Sequence, residues 1–303
     1  MVFEVTVLGS SSALPTSQRY TSAHVINSHE RFFLIDCGEG TQMQLRRNRI
    51  RIGKIHNIFI SHTHGDHVFG LYGLLSSYNM MGRSETLNLY APQAFEPLIS
   101  QHLSDFDIHL NFELNFVALQ GSHPSMIFED RHITVTSIPL KHRVPCYGFL
   151  FREKMKDRNV KKHLIKEYNL GLKEIVALKK GEDLVSKSGA AIKNEELTTD
   201  PPEPRSYAYI SDTGYLPGLA DIIRGVKLLY HEATFADDHM DLAAKTGHST
   251  ASQAASIARD AGAERLLIGH FSARYRNVDV LLQEARELFE NTIAAEDNLT
   301  IAL

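Results

Sequence analysis

SHTHGDHVFG, residues 61–70, sets three histidines and an aspartate within the six positions from His62 to His67. The run before it, HNIFISHTH, is β-patterned around Ile58, Phe59 and Ile60, so the cluster begins where a strand ends. Chance placement in a polar loop would leave these side chains as solvated groups. Read as H-x-H-x-D-H, the spacing instead offers half of a metal site. His62 and His64 can bring two imidazoles to one ion. Gly65 allows a sharp turn that points Asp66 and His67 toward a second. Two ions about 3.5–4 Å apart clamp both the attacking and the leaving oxygen of a phosphoryl transfer. Nitrogen and carboxylate donors suit zinc, with manganese or iron as alternatives.

The remaining ligands must come from afar, and later strands repeat one layout. HITVTSIPL runs into His142, YAYISDTG ends on Asp212, VKLLYHEATF ends on His231 and Glu232, and RLLIGHF ends on His270. Candidate ligands landing after β-patterned runs, with helices between, point to an α/β fold whose site gathers at one sheet edge. Near the start, SAHVIN and RFFLID read as a hairpin, TQMQLRRNRI as a short helix and LYGLLSSYNMM as a longer one. TGHSTASQAASIARDAGAE predicts a helix capped by Ser249 or Thr250 and stopped at Gly262.

The chain has 303 residues, 43% hydrophobic and 22% charged, enough for a sizeable core. MVFEVTVLG reads as a strand rather than a leader, and no apolar run is long enough to span a bilayer. Two cysteines, Cys37 and Cys146, make no disulfide framework and fit a reducing compartment, so the expected location is cytoplasmic. The net charge of −4 advertises no nucleic-acid binding. Its distribution does. Residues 152–180 hold ten Lys or Arg against four Asp or Glu, a balance of +6 that leaves −10 for the rest. This helix-toned stretch, closed by PPEPR at 201–205, reads as a basic insertion suited to a phosphate backbone.

H-x-H-x-D-H after a strand resembles the metallo-β-lactamase superfamily, which implies an αββα sandwich. Matched one by one, the superfamily's remaining ligands fall on His142, Asp212 and His270. One ion would then sit on His62, His64 and His142, a second on Asp66, His67 and His270, with Asp212 shared. HEATF (231–235) and TGHST (246–250) narrow the resemblance to the ribonuclease Z family, over most of the chain. That resemblance implies an endonuclease that cuts the 3′ trailer from precursor tRNA, leaving a 3′-hydroxyl on the tRNA and a 5′-phosphate on the trailer. It implies two zinc ions per subunit, a homodimer, and catalytic roles for Asp66, Glu232 and His248. Glu232 would pair with His248.

The whole of 1–303 is thus expected to be one metallo-β-lactamase-like domain, with 152–203 as an inserted arm that grips tRNA. Two departures stand out. The family's P-x-K-x-R-N loop appears as PTSQRY (15–20), keeping Arg19 but carrying Ser17 and Tyr20, and NLGLK (169–173) has Gly171 followed by Leu where the arm's Gly-Pro motif would fall. His231 and the other histidines are read as structural or solvated. Rival readings are a general phosphodiesterase, lactonase or thioesterase on the same fold, a di-iron redox protein, and a nucleic-acid-binding subunit with a dead site. His64 speaks against the second and the full ligand set against the third.

Overall fold

The computed structural model describes residues 2–185 and 190–303. Two seven-stranded sheets carry the fold. The first runs, edge to edge, through Thr300–Ala302, Phe3–Gly9, Ala23–Ser28, Arg31–Ile35, Ile55–Phe59, Leu87–Pro92 and Leu114–Leu119. The second runs through Thr292–Ala294, Arg265–Gly269, Leu228–Glu232, Ser206–Ile210, Tyr147–Glu153, Ile133–Pro139 and Ser125–Glu129. Ala23–Ser28 and Arg31–Ile35 are the expected antiparallel hairpin.

Alternation along single strands explains the layers. In Arg31–Ile35 and Ile55–Phe59, Phe33 and Phe59 point to one face and Leu34 and Ile58 to the other. Phe33 and Phe59 meet Phe149 and Phe151 of the second sheet, with ring centroids 5.3–5.8 Å apart. Leu34 and Ile58 join Val68, Leu71, Leu74, Leu75 and Tyr78 of the helix Gly65–Met80 in a buried cluster. Against the second sheet, Ala251–Ala261 packs on Arg265–Gly269 and on the helix Asp279–Leu288. Its cap is Thr250, whose side chain accepts from Gln253 N, and it ends at Gly262 with φ 61°. Helix, sheet, sheet, helix is the expected αββα order.

Two details differ from the sequence reading. The second helix starts inside the histidine motif, at Gly65 rather than near Leu71. Its apolar stripe begins only at Val68, so hydrophobic periodicity misses the first turn. Gly65 serves by its smallness: a Cβ there would lie 2.2 Å from the Phe69 ring. The insertion is also less helical than its composition suggests. It contains the helices Lys162–Glu167 and Leu172–Lys179, but also four two-residue strands in two small sheets, Asn159–Val160 with Thr198–Thr199 and Leu184–Val185 with Ala191–Ile192.

Contacts divide the chain into two compact units. One comprises residues 1–129, 134–151 and 206–303, the other 130–133 and 152–205. The smaller unit has its own core of Leu170, Leu178, Leu184 and Leu197. Arg205 grips the buried Glu153 carboxylate through Nε and Nη2, at 2.8 and 2.6 Å. Among the described residues no helix is long and apolar enough to cross a membrane. Both cysteines are free and buried.

Candidate metal centre

Parallel register brings the late ligands together. Ile210 lies opposite His231, and Glu232 opposite Gly269, so Asp212, Glu232 and His270 emerge at the same edge of the second sheet. In the first sheet Ile35 pairs with Phe59, which places Asp36 beside Ser61 and the histidine motif. His270 itself has φ 60°, a left-handed turn that ends its strand.

All seven sequence-derived ligands converge. His62 Nε2 lies 3.0 Å from His64 Nδ1, and His142 Nε2 lies 3.4 Å from the same atom. Asp212 Oδ2 is 3.5 Å from His62 Nε2 and 3.9 Å from His142 Nε2. On the other side, His67 Nε2 and His270 Nε2 are 3.3 Å apart. Asp66 Oδ2 sits 3.5 and 3.6 Å from these two nitrogens. Asp212 Oδ1 faces the same pair at 3.4 and 3.1 Å. The two oxygens of Asp212 therefore look at different trios, as a carboxylate shared by two cations would.

The donor chemistry fits divalent cations. Ring nitrogens this close direct lone pairs at a common point, an arrangement that a cation relieves. Their outward nitrogens are engaged elsewhere. His67 Nδ1 bonds Asp36 Oδ2 at 2.8 Å, His142 Nδ1 donates to Gly247 O at 2.9 Å, and His270 Nδ1 meets Thr234 Oγ1 at 2.9 Å. His62 Nδ1 meets Ser61 Oγ at 3.0 Å. Such partners fix ring orientation and leave Nε2 as the inward ligand atom. His64 alone presents Nδ1.

The electrostatics agree. Burial pushes the His62, His64 and His142 imidazoles below their ordinary range, which keeps them neutral as ligands must be. Burial works against the charge on His67 too, but Asp66, Asp212 and Asp36 outweigh it and raise its pKa well above the ordinary range, so that a cation is favoured beside this ring. Burial likewise opposes ionisation of Asp212, yet His270, His67 and His62 keep its carboxyl well below the usual range. The cluster thus draws positive charge to the place where a divalent cation would sit.

Glu232 and His248 form a pair at the rim, with His248 Nδ1 4.0 Å from Asp212 Oδ2. Glu232 is fully buried, and its Oε1 accepts from His248 Nδ1 at 2.9 Å, Thr213 N at 3.1 Å and Ser249 N at 3.0 Å. Its Oε2 accepts from Thr234 N and Thr234 Oγ1 at 3.0 and 2.7 Å. Burial disfavours charge on His248, but the Glu232 carboxylate prevails and raises its pKa to about 9. Nδ1 being committed to Glu232, the His248 Nε2 edge is left for a reacting group, 13% of the side chain remaining exposed. His231 next door is buried, its Nδ1 2.7 Å from the Glu232 carbonyl, in keeping with a structural part.

Sequence reasoning passed over two residues of this site. Asp36 collects His67 Nδ1, Ser61 N, Ser61 Oγ and Tyr209 Oη at 2.7–2.8 Å. Its signal was present, since L-I-D-C-G ends a strand on an aspartate like the ligand strands do. Thr234, inside H-E-A-T, ties Glu232 to His270. In the altered PTSQRY loop, Arg19 donates to the Tyr275 carbonyl at 2.9 Å, and Tyr20 takes a bond from Arg47 at 3.1 Å.

A family model described as "Anti-Pycsar protein Apyc1" matches residues 3–176, and one described as "Beta-lactamase superfamily domain" matches 201–271. A protein of Bacteroides fragilis (strain YCH46) named Ribonuclease Z is 44% identical over 301 residues, covering 99% of both chains. A Cytophaga hutchinsonii protein of the same name is 43% identical, covering 96% of this chain and 93% of its own. The crystal structure of the short form of human tRNase Z aligns with TM-score 0.71 at 27% identity, over 98% of each chain. The chain belongs to the ribonuclease Z family of the metallo-β-lactamase superfamily, and its residues 3–176 fall within the family described as Anti-Pycsar protein Apyc1.

Proposed function

We propose that the chain is a zinc-dependent endoribonuclease that removes the 3′ trailer from precursor tRNA, leaving a 3′-hydroxyl on the tRNA and a 5′-phosphate on the trailer. The observation that carries this reading is Asp212, whose two carboxylate oxygens face different histidine-rich trios, with the Glu232–His248 pair set at their rim. Family membership supplies the RNA substrate.

His62, His64, His142 and Asp212 would hold one zinc ion, and Asp66, His67, His270 and Asp212 the other. When bound, the pair would supply charge neutralisation at the phosphate and acidify water. The chain's own residues do the rest. Asp66 accepts the proton of the attacking water; Ala13 N donates to its Oδ2 at 2.7 Å and holds the carboxylate in place. Water adds to phosphorus as the bond to the tRNA 3′-oxygen breaks. His248, kept protonated by Glu232, gives its proton to that oxygen. The products are the two named ends.

The smaller unit is read as the tRNA-gripping arm. Lys162 and Lys166 lie one helical turn apart and exposed, and Lys173, Lys179 and Lys180 are exposed nearby. Other arm charges are spent internally: Arg158 pairs with Asp200 and Lys193 with Asp183. Residues 152–180 carry +6, whereas 181–203 hold two Lys against six Asp or Glu, a balance of −4, so the gripping face belongs to the first half. A homodimer is what the family resemblance implies and a cytoplasmic location what the two free cysteines fit; light scattering at working concentration tests the assembly.

The direct test incubates zinc-loaded protein with a 3′-extended precursor tRNA and maps both product ends. The expected result is a single cut next to the tRNA body with the stated ends. An intact precursor alongside brisk hydrolysis of a lactone or thioester would overturn the reading.

A further inference from the structure

Two cavities adjoin the centre, and their linings differ in kind. The first, about 420 Å³, is bordered by His142 and His248 and ringed by Lys141, Arg143 and Lys245. No carboxylate lines it. None of these three cations has an ion-pair partner among the described residues, in a chain of net charge −4. Lys141 is held in place by its backbone: its N donates to Thr213 Oγ1 at 3.2 Å and its O accepts from Gly214 N at 2.8 Å. The second cavity, about 460 Å³, is bordered by His64 and Asp66 and walled by Leu14, Pro15 and Phe69. Leu14 and Phe69 are each 64% exposed, large apolar groups left uncovered beside a polar centre. Arg143 lines both cavities.

A charged wall suits a phosphate, and an exposed phenyl ring suits the face of a nucleobase. The rim histidine then sets the direction. The oxygen that leaves is the 3′-oxygen of the last tRNA nucleotide, and it must take a proton from His248. That nucleotide therefore belongs in the cavity that His248 borders. The first trailer nucleotide, joined to the same phosphorus through its 5′-oxygen, then falls in the cavity bordered by Asp66.

We infer that the strand crosses the centre in one direction, with the last tRNA nucleotide and its 5′ phosphate on Lys141, Arg143 and Lys245, and the first trailer base stacked on Phe69 and Leu14. The inference rests on the reading of the chain as a tRNA 3′-trailer nuclease. It makes Lys141 and Lys245 binding residues for the retained side and Phe69 a specificity residue for the released side.

The test uses zinc-loaded wild-type protein and three precursor tRNAs: one abasic at the first trailer position, one abasic at the last tRNA position, and one with a neutral methylphosphonate on the 5′ side of that last nucleotide. Wild type should lose about tenfold in kcat/KM when the trailer base is removed, as expected for one stacked base. Phe69→Ala should be indifferent to that removal. Wild type should lose about tenfold with the methylphosphonate, as expected for one neutralised phosphate contact. The Lys141→Ala, Lys245→Ala double variant should be indifferent to it. Each comparison is made within one protein, so altered folding of a variant does not imitate the result. If Phe69→Ala instead abolishes the penalty at the last tRNA position, the direction is reversed and the inference is wrong. Penalties absent in wild type, or unchanged in the variants, overturn it as well. A wild-type protein that cuts none of the precursors, the unmodified one included, defeats the functional reading itself.

Discussion

The proposed metal centre and the proposed tRNA arm are built in opposite ways. In the centre nearly every polar atom is buried and already bonded: His62, His67, Asp36 and Glu232 are inaccessible to solvent, and Glu232 alone accepts five hydrogen bonds. In the arm Lys162, Lys166 and Lys173 are exposed and have no side-chain partner among the described residues, on short helices over a four-leucine core. Preorganisation suits chemistry, where charge must be met without reorganisation at the moment of reaction. Exposed lysines suit a phosphate backbone, where counterion release supplies the affinity. Damage should therefore be steep and local in the centre, graded and salt-dependent in the arm.

The largest effect is expected at Asp212. Asp212→Ala removes the one group that faces both trios and leaves inward histidine nitrogens without their shared carboxylate. Loss of both ions and a fall in cleavage on the order of 10⁴-fold should follow, read by metal analysis and precursor cleavage. Retention of two tightly held ions would break the claim that this carboxylate bridges them.

Replacing Lys162, Lys166 and Lys173 together by Ala should act more gently. The expected loss is about tenfold in kcat/KM for precursor tRNA, carried by KM, and the slope of log affinity against log salt should fall by about one per lysine. Because these side chains have no internal partners among the described residues, stability should barely change. An unaltered salt slope would make the arm's positive face a merely solvated one.

At neutral pH the smallest effect is at His24, which is felt only in acid and sharpens the comparison from the buried side. His24 lies between the sheets, its Nδ1 2.7 Å from Tyr207 Oη, and burial lowers its pKa from 6.5 to about 3. The unfolded chain takes up a proton there below pH 6.5, whereas the fold does not until about 3. His24 therefore costs nothing above 6.5, and below it the fold loses about 1.4 kcal/mol per pH unit down to the folded value. His24→Asn should flatten the acid limb of a stability–pH curve measured by urea unfolding. An unchanged limb would mean that the burial of His24 carries no linkage.

Much of the centre was legible in the sequence because its parts obey one local rule: His142, Asp212, Glu232 and His270 follow strands, and for the last three parallel register turns that repetition into proximity. H-x-H-x-D-H was readable for the same reason. Asp36 was not singled out, although its strand ends on an aspartate as the Asp212 strand does, because nothing local ties it to the histidines; only the fold shows it under His67. The start of the helix at Gly65 escaped because its first turn is polar. The arm's two-residue strands are too short to show any period, so its composition read as helix where the chain makes small sheets. Its charge was legible, but not that the second half offsets the first.

In the proposed mechanism seven residues hold the metals while His248 handles the proton. Counting zinc per chain in wild type and His248→Ala, alongside precursor cleavage by each, tests that division of roles most directly. Two ions per chain are expected in both, with turnover in the variant down by about 10³-fold, the usual weight of a general acid. Loss of metal in parallel with activity would contradict the separation of roles, and a wild type holding a single ion would contradict the centre itself.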